Sequence, residues 1–593
     1  MPTGRKRKQT HDAEAEPVPA ARAKRQTRSR ESFVSAPPAQ RGRRRLSVTS
    51  STADSLRDSL ATAVDSIVTT ITEPDSLPKD VRKLKPVEEK VTEIAMDRKA
   101  ADTQVDESTD YKEDEKETDV EKRAPLPLTN GVKRSGELSK EVSPLPYKLK
   151  KTTGKIFVPI PTLKTEPLNI YVFGTGSMSE LGLGPEAKNK EVKRPRLNPF
   201  LPIDEVSIVD FAVGGAHVVA IDKNGRLWSW GCNDHGALGR NTSSGEDGLL
   251  RDMDADDNDD DGDLNPLEST PALVENLPYD LVFVQVAASD NLSLALTSEG
   301  RVWAWGTFRC NEGVLGFSDK VEFQRTPIQV PIPIAVGQIA AGKDHVMALT
   351  TNGRVFSWGN GQQFQLGRRV VDRARMQSLH PREFGIKNIK FIASGEFHAF
   401  AIDTSNRVMA WGLNQYGQCG IPTEGAGEDG AVVSSPTYVD ALNDKDIVNI
   451  TGGEHHSIAL SSTGEIYTFG RLDSSEIGIE RDELPDTVVK DASGHPRFLP
   501  IPTKVDFEDD TRFKYVTSGS HHSIALAKDD GSAWSWGFGE TYQVGQGPAG
   551  EDVEIPTKIE NTATKGINML FAGAGGQFSV LGGIPPKQPQ EDK

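Results

Sequence analysis

Three cysteines in 593 residues, Cys232, Cys310 and Cys419, are too few and too scattered for a disulfide framework. None forms a Cys-x-x-Cys pair, which argues against a cysteine-rich zinc site. No stretch approaches the roughly 20 consecutive apolar residues of a membrane-crossing helix. The charged N-terminus lacks the apolar core of a secretory signal. The phosphate-cradling pattern Gly-x-x-x-x-Gly-Lys-Ser/Thr is missing, so the chain is not expected to bind GTP itself. Apolar residues, at 36%, fall below the roughly 45–50% usual for globular domains, so part of the chain is expected to be disordered.

What is present is unevenly placed. The chain carries a net charge of -17, yet residues 1–45 hold 13 Lys/Arg against 4 Asp/Glu. Arg5, Lys6, Arg7 and Lys8 open this basic arm, which suits nucleic acid or a nuclear import receptor through salt-dependent phosphate or acidic contacts. Residues 46–160 are polar and poor in aromatics, and they are expected to stay a disordered linker because they bury too little apolar surface. A short disordered C-terminus is expected at 584–593.

From about 168 to 583 a repeat controls the sequence. Residues 214–239 read GGAHVVAIDKNGRLWSWGCNDHGALG, and 342–367 read GKDHVMALTTNGRVFSWGNGQQFQLG. The pattern returns at 289–316, 395–420, 453–478 and 519–545. A seventh unit is split, with FAGAGGQFSVL at 571–581 and NIYVFGTGSMSELGLG at 169–184. Short β-rich runs alternate with Asn-Gly or Asp-Gly turns, the punctuation of hairpins. Seven such units, one of them shared between the chain ends, predict an all-β, seven-bladed propeller closed by pairing of the N- and C-terminal segments. The Trp-Gly or Phe-Gly pair of each unit is expected to fill the gap between neighbouring blades.

These residues resemble the repeats of the regulator of chromosome condensation family. The units GCNDHGALGR at 231–240 and WGTFRCNEGVLG at 305–316 carry the resemblance beyond the generic repeat. It implies a nuclear, chromatin-associated, monomeric guanine nucleotide exchange factor for the small GTPase Ran. Such a protein supports nucleocytoplasmic transport and mitosis. It acts without cofactor, metal or membrane, and it uses no covalent chemistry.

Five histidines recur at one repeat position: His217, His345, His398, His456 and His522. A residue present blade after blade reads as structural, bonded to a neighbouring backbone or filling a blade contact. The residue just before it varies, which marks a binding surface. The resemblance assigns nucleotide release to Asp344, with Asp290 and His455 contributing. It makes 307–316 a wedge against the GTPase, with Phe308, Arg309, Asn311 and Glu312 as contacts. It places Arg373 and Arg375 on histones. Ser177, Phe578 and Gly417 depart from the family pattern at positions expected near the partner face.

Residues 241–270 form an acidic inter-blade insertion. Within it, 257–268 (DNDDDGDLNPLE) meets the calcium-loop pattern of an EF-hand. Pro266 interrupts the loop and no flanking helices are expected, so it reads as a solvated acidic run. The competing reading of the whole is a propeller scaffold that binds chromatin or proteins without exchange activity. Hydrolytic catalysis ranks last, because no nucleophile–base pair stands out from the repeat.

Overall fold

The computed structural model describes residues 149–150, 155–243, 263–428, 430–507 and 509–585. They form eight antiparallel sheets: seven are blades of four strands, with a fifth short strand in one, and the eighth is a two-stranded hairpin. Blade 1 uses Ile208–Val213, His217–Asp222, Leu227–Gly231 and Ala272–Leu273. Blades 2 to 6 follow in chain order, beginning at Phe283, Val336, Ile389, Ile447 and Phe513. Blade 7 combines Asn568–Ala574 and Phe578–Ile584 with Asn169–Thr175 and Glu191–Leu197. The closing pair runs antiparallel in the register Tyr171↔Leu581, so the split seventh unit closes the ring.

The first strand of every blade lines a central channel. Each of these strands slips register by one residue against the second strand, between Ile208 and Asp210 in blade 1 and Met569 and Phe571 in blade 7. Such a bulge bends the strand and raises its twist, which suits a sheet radiating from an axis.

The repeat residues hold blade to blade. Trp230, Trp305, Trp411 and Trp536 are wholly buried. Their indole N–H groups donate to carbonyls of the preceding blade, those of Glu180, Ala237, Gln365 and Glu476, at 2.7–3.1 Å. In five of the seven units the closing Gly is where the next blade's ring lies. A Cβ on Gly239 would meet the Trp305 indole at 2.8 Å, and one on Gly545 would meet the Phe173 ring at 2.7 Å. Removing one such ring costs about 3–5 kcal/mol.

The recurring histidines are structural, but their partner is a side chain. His217 Nε2 lies 2.8 Å from Ser293 Oγ in the next blade, and His398, His456 and His522 reach Ser457, Ser523 and Ser579 in the same way. The serines at 293, 457 and 579 donate in turn to backbone carbonyls. They therefore accept from Nε2–H, which fixes that tautomer. The exceptions follow the same logic. Leu292 and Phe578 replace the histidine in blades 2 and 7, and the facing serine is then Val346 and Val218. Blade 4 offers Ala399, and His345 bonds Ser394 instead. Each histidine ring also occupies the space above the first Gly of its own Gly-x-x-His turn. A Cβ on Gly342 would sit 2.2 Å from His345.

Two boundaries differ from the sequence expectation. Residues 155–160 fall inside the expected linker yet pack on the face that carries the Asn-Gly turns. Phe157 N–H donates to Thr351 O at 2.9 Å, Val158 is buried and Ile160 reaches Gly300. The strap continues through Lys164, which pairs with Asp210 at 2.8 Å and lies 3.7 Å from the Phe571 ring centroid. A short apolar run between prolines has no helix or strand period, which is why it read as linker. The end of the acidic insertion also joins blade 1. Asn265 caps the short helix Pro266–Ser269, and Ala272–Leu273 supplies the outer strand. Glu268, the last ligand of the calcium pattern, is buried and accepts from Thr242 Oγ1 at 2.9 Å. Asp257, Asp259, Asp261 and Gly262 lie outside the described residues.

The His–Ser pairing yields a stability test. Ser293→Val should orphan the buried His217 N–H and cost about 1–3 kcal/mol in denaturant unfolding. Adding His217→Leu, the pairing that blades 2 and 3 already use, should recover most of that loss. The Ala237 carbonyl would keep its Trp305 donor. A double variant as unstable as the sum of two singles would refute the pairing.

Candidate functional site

The Gly-x-x-His turns and the third-strand exits share one face. There, the second residue of each turn donates its N–H to the next blade: Gly215 to Ser289, Asp290 to Lys343, Lys343 to Glu396, Glu396 to Gly453, Glu454 to Ser520, Ser520 to Gly575 and Gly576 to Gly215. The seven bonds close a circle at the channel mouth. The backbone is satisfied there, which leaves the side chains at the second and third turn positions free to differ.

They differ by arc. Blades 2 to 5 place Asp290, Lys343, Asp344, Glu396 and Glu454 around the mouth, whereas blades 6, 7 and 1 place Ser520, Gly576 and Gly215. Lys343 bridges the acids, at 3.0 Å from Glu396 and 3.6 Å from Asp290. Burial favours the neutral amine of Lys343, but the charges of Glu396 and Asp290 outweigh it and raise the pKa. Burial, with Glu396 close by, raises Asp290.

The wedge stands beside this arc. It is a hairpin of Phe308–Cys310 and Gly313–Gly316, with Arg309 opposite Val314. Arg309, Asn311, Glu312 and Val314 are exposed on it. Asp344 lies beneath it, 8% exposed, and its Oδ1 accepts from the Arg309 N–H at 2.7 Å. Burial raises the Asp344 pKa to about 6 against the pull of that N–H and Lys343. Asp344, Asp290 and the wedge are thus brought together. Asp344 fixes the wedge base as well as bordering the acidic arc.

His455 lies two blades away. Its Nδ1 is 3.3 Å from Gln418 Nε2, and its ring centroid is 4.8 Å from that of Tyr416. Burial depresses its pKa to about 4, so it is neutral at physiological pH. Its neighbour at the same position in blade 6, His521, is the charged one. His521 Nε2 sits 3.1 Å from Glu454, and Nδ1 sits 3.8 Å from the buried Glu476. Burial lowers the His521 pKa, but the two carboxylates raise it to about 9.

Several site assignments change. Phe308, expected to touch a GTPase, is wholly buried. It seats the hairpin against blade 3, where a Cβ on Gly359 would meet its ring at 2.8 Å. Phe578 is also buried, in the structural histidine position, and Gly417 lies under Pro500, where a Cβ would be 2.6 Å from its Cα. Of the three departures only Ser177 is exposed. Arg373 is exposed, and Arg375 pairs with Glu312 of the wedge at 3.2 Å. Arg5, Lys6, Arg7 and Lys8 lie outside the described residues. Sequence reading missed Lys343, Glu396, Glu454 and His521 as a group. The signal was the variable second and third positions of the Gly-x-x-His turns taken together. Among the described residues no cluster of His, Cys, Asp or Glu could hold a metal ion, and no helix is long and apolar enough to cross a membrane.

Fold and face together define a propeller that presents a hairpin beside an acidic channel mouth. The RCC1-like domain matches residues 169–581, and the chain belongs to that family. It is 53% identical to "Guanine nucleotide exchange factor SRM1" of Saccharomyces cerevisiae, over 73% of this chain and 90% of that protein. It is 30% identical to human "Regulator of chromosome condensation", over 70% of this chain and 91% of the relative. The crystal structure of Prp20p from S. cerevisiae, whose report concerns binding to Gsp1p and histones, superposes with a TM-score of 0.66. That comparison has 51% identity and covers 73% of this chain and 94% of that one. A structure of Kap60 bound to yeast RCC1 (Prp20) gives a TM-score of 0.67 at 48% identity, over 78% and 98% of the two chains.

The His521 clamp has a pH signature. Because its pKa is raised, its stabilising contribution is complete below the ordinary histidine value near 6.5 and is lost as pH rises through about 9. His521→Gln should flatten the loss of stability between those limits. A wild-type imidazole that titrates below 7 by NMR would exclude the clamp.

Proposed function

We propose that this chain is a guanine nucleotide exchange factor for the small GTPase Ran, acting in the nucleus on chromatin. The observation that carries the reading is the wedge, preformed and backed by Asp344, beside an acidic mouth. Exchange needs no bond made or broken by the protein. A factor that binds the empty GTPase more tightly than the loaded one loosens nucleotide by the same ratio, since coupling is reciprocal.

The residues divide the work. Arg309, Asn311, Glu312 and Val314 present the wedge surface that presses near the phosphate-binding loop of the GTPase. Asp290, Glu396 and Glu454 form a negative field that draws off cations otherwise holding the phosphates. Asp344 holds the wedge in place, and His455 contributes a neutral, partly covered contact. Arg373 and the basic arm, including Arg5, Lys6, Arg7 and Lys8, serve histones and DNA. The arm also serves an import receptor. The histone and import-receptor partners of the yeast relative support these assignments.

The test is release of a fluorescent GDP analogue from Ran, with the full chain in catalytic amount. Strong acceleration is expected, and Asp344→Ala should lower kcat/KM about a hundredfold, near 2.7 kcal/mol of lost transition-state stabilisation. A folded wild-type protein that leaves the release rate unchanged would favour the scaffold reading.

A further inference from the structure

The wedge is a marginal element by itself. Its two strands have three and four residues, and an isolated two-stranded ribbon is at best marginally stable in water. Phe308 seats one end, and Thr307 Oγ1 bonds Glu322 O at 2.6 Å at the root. The tip has no such packing. A cavity of about 240 Å³ lies behind it, lined by Cys310 and Leu315 on one side and Gln362, Val370 and Arg375 on the other.

Polar contacts from blade 3 cross this gap. Gln362 Oε1 accepts from the Asn311 N–H at 3.0 Å, while its Nε2 donates to both Glu312 carboxylate oxygens at 3.0–3.1 Å. Arg375 adds a bond to Glu312 Oε2 at 3.2 Å. The clamp is itself fixed. The Gln362 N–H donates to Asn360 Oδ1 at 3.0 Å, and the Asn360 N–H donates to Asp344 O at 2.7 Å. Arg375 lies in the turn segment Asp372–Leu379, which Ser378 Oγ ties to Gly359 O at 2.7 Å.

We infer that Gln362 and Arg375 are positioning residues for nucleotide exchange, holding the wedge tip in its inserting geometry through Asn311 and Glu312. The inference rests on the exchange reading above and extends it. It gives Glu312 an intramolecular partner and gives Arg375 a role on the wedge. An element already held in its bound shape avoids the ordering cost on contact, and a misplacement of about 1 Å suffices to slow a reaction about a hundredfold. Loss of the clamp should therefore appear in the rate of nucleotide release more than in docking of the GTPase, because the rest of the face is unchanged.

The experiment measures GDP-analogue release from Ran across GTPase concentrations, with the full chain and its variants. Gln362→Leu removes both polar atoms and should lower kcat about tenfold with KM within about twofold. Hydrogen exchange at the Asn311 amide should quicken in the same variant. Gln362→Glu keeps the acceptor for Asn311 but sets two carboxylates together, and it should also lose kcat. Adding Glu312→Gln restores a donor–acceptor pair with the roles reversed, so that, measured against the Glu312→Gln single variant, the double variant should regain most of that loss. A Gln362→Leu variant with wild-type kcat, or a Gln362→Glu loss that Glu312→Gln fails to relieve, overturns the clamp. An inert wild type overturns the exchange reading on which the clamp stands, a result distinct from either.

Discussion

The circle of seven N–H···O=C bonds at the channel mouth is the constraint on which this protein depends. Each blade satisfies a turn amide with its neighbour's carbonyl, and buried amides without partners are costly. The last bond, Gly576 to Gly215, joins blade 7 to blade 1. Blade 7 is complete only when Asn169–Thr175 pairs with Phe578–Ile584. The two ends of the repeat region are thus committed together, and the innermost strand edges are left short and turned to the channel.

Two further layers reinforce the circle. Further out, a buried tryptophan donates to the preceding blade, and between the two a histidine bonds the following blade's serine. These contacts point in opposite directions around the ring. Ala237 O shows how closely they are combined, since it accepts from Trp305 Nε1 and Ser293 Oγ together. The buried histidines are held neutral by desolvation, His217 at about 4 and His522 at about 3. Each therefore opposes acid unfolding less as pH falls below about 6.5, because the unfolded chain then binds protons that the folded ring refuses.

What could be read from sequence followed the period. Seven units, the split blade and the structural role of His217 and its equivalents were all legible, because a residue repeated at one place has one physical job. The Gly before each histidine was legible as a turn. Its second reason, the imidazole above it, needs coordinates. The wedge was legible only as a resemblance, and its inner arrangement was not. Phe308 looks like a contact in sequence because nothing periodic marks it as a root. Gln362 and Arg375 lie in blade 3 loops and act on blade 2, so no local pattern joins them to Asn311 and Glu312. The charge on His521 was hidden for the same reason, since Glu454 and Glu476 come from blade 5. The strap at 155–168 has no period at all and is ordered by the surface beneath it.

The same turn carries scaffold and function because burial separates its positions. The fourth residue of Gly-x-x-His is buried and must match a serine across the blade gap. The second closes the ring through its backbone, so its side chain is free to differ from blade to blade. Charge could collect there on blades 2 to 5 while blades 6, 7 and 1 kept Ser520, Gly576 and Gly215. A symmetric ring thereby acquires one acidic side, and the wedge rises beside that side from blade 2. The third position links the two systems at Asp344, whose carboxylate reaches out to Arg309 N–H while its carbonyl holds Asn360. A rigid ring with one asymmetric rim can press on a partner without yielding, which is what displacement of a tightly held nucleotide demands.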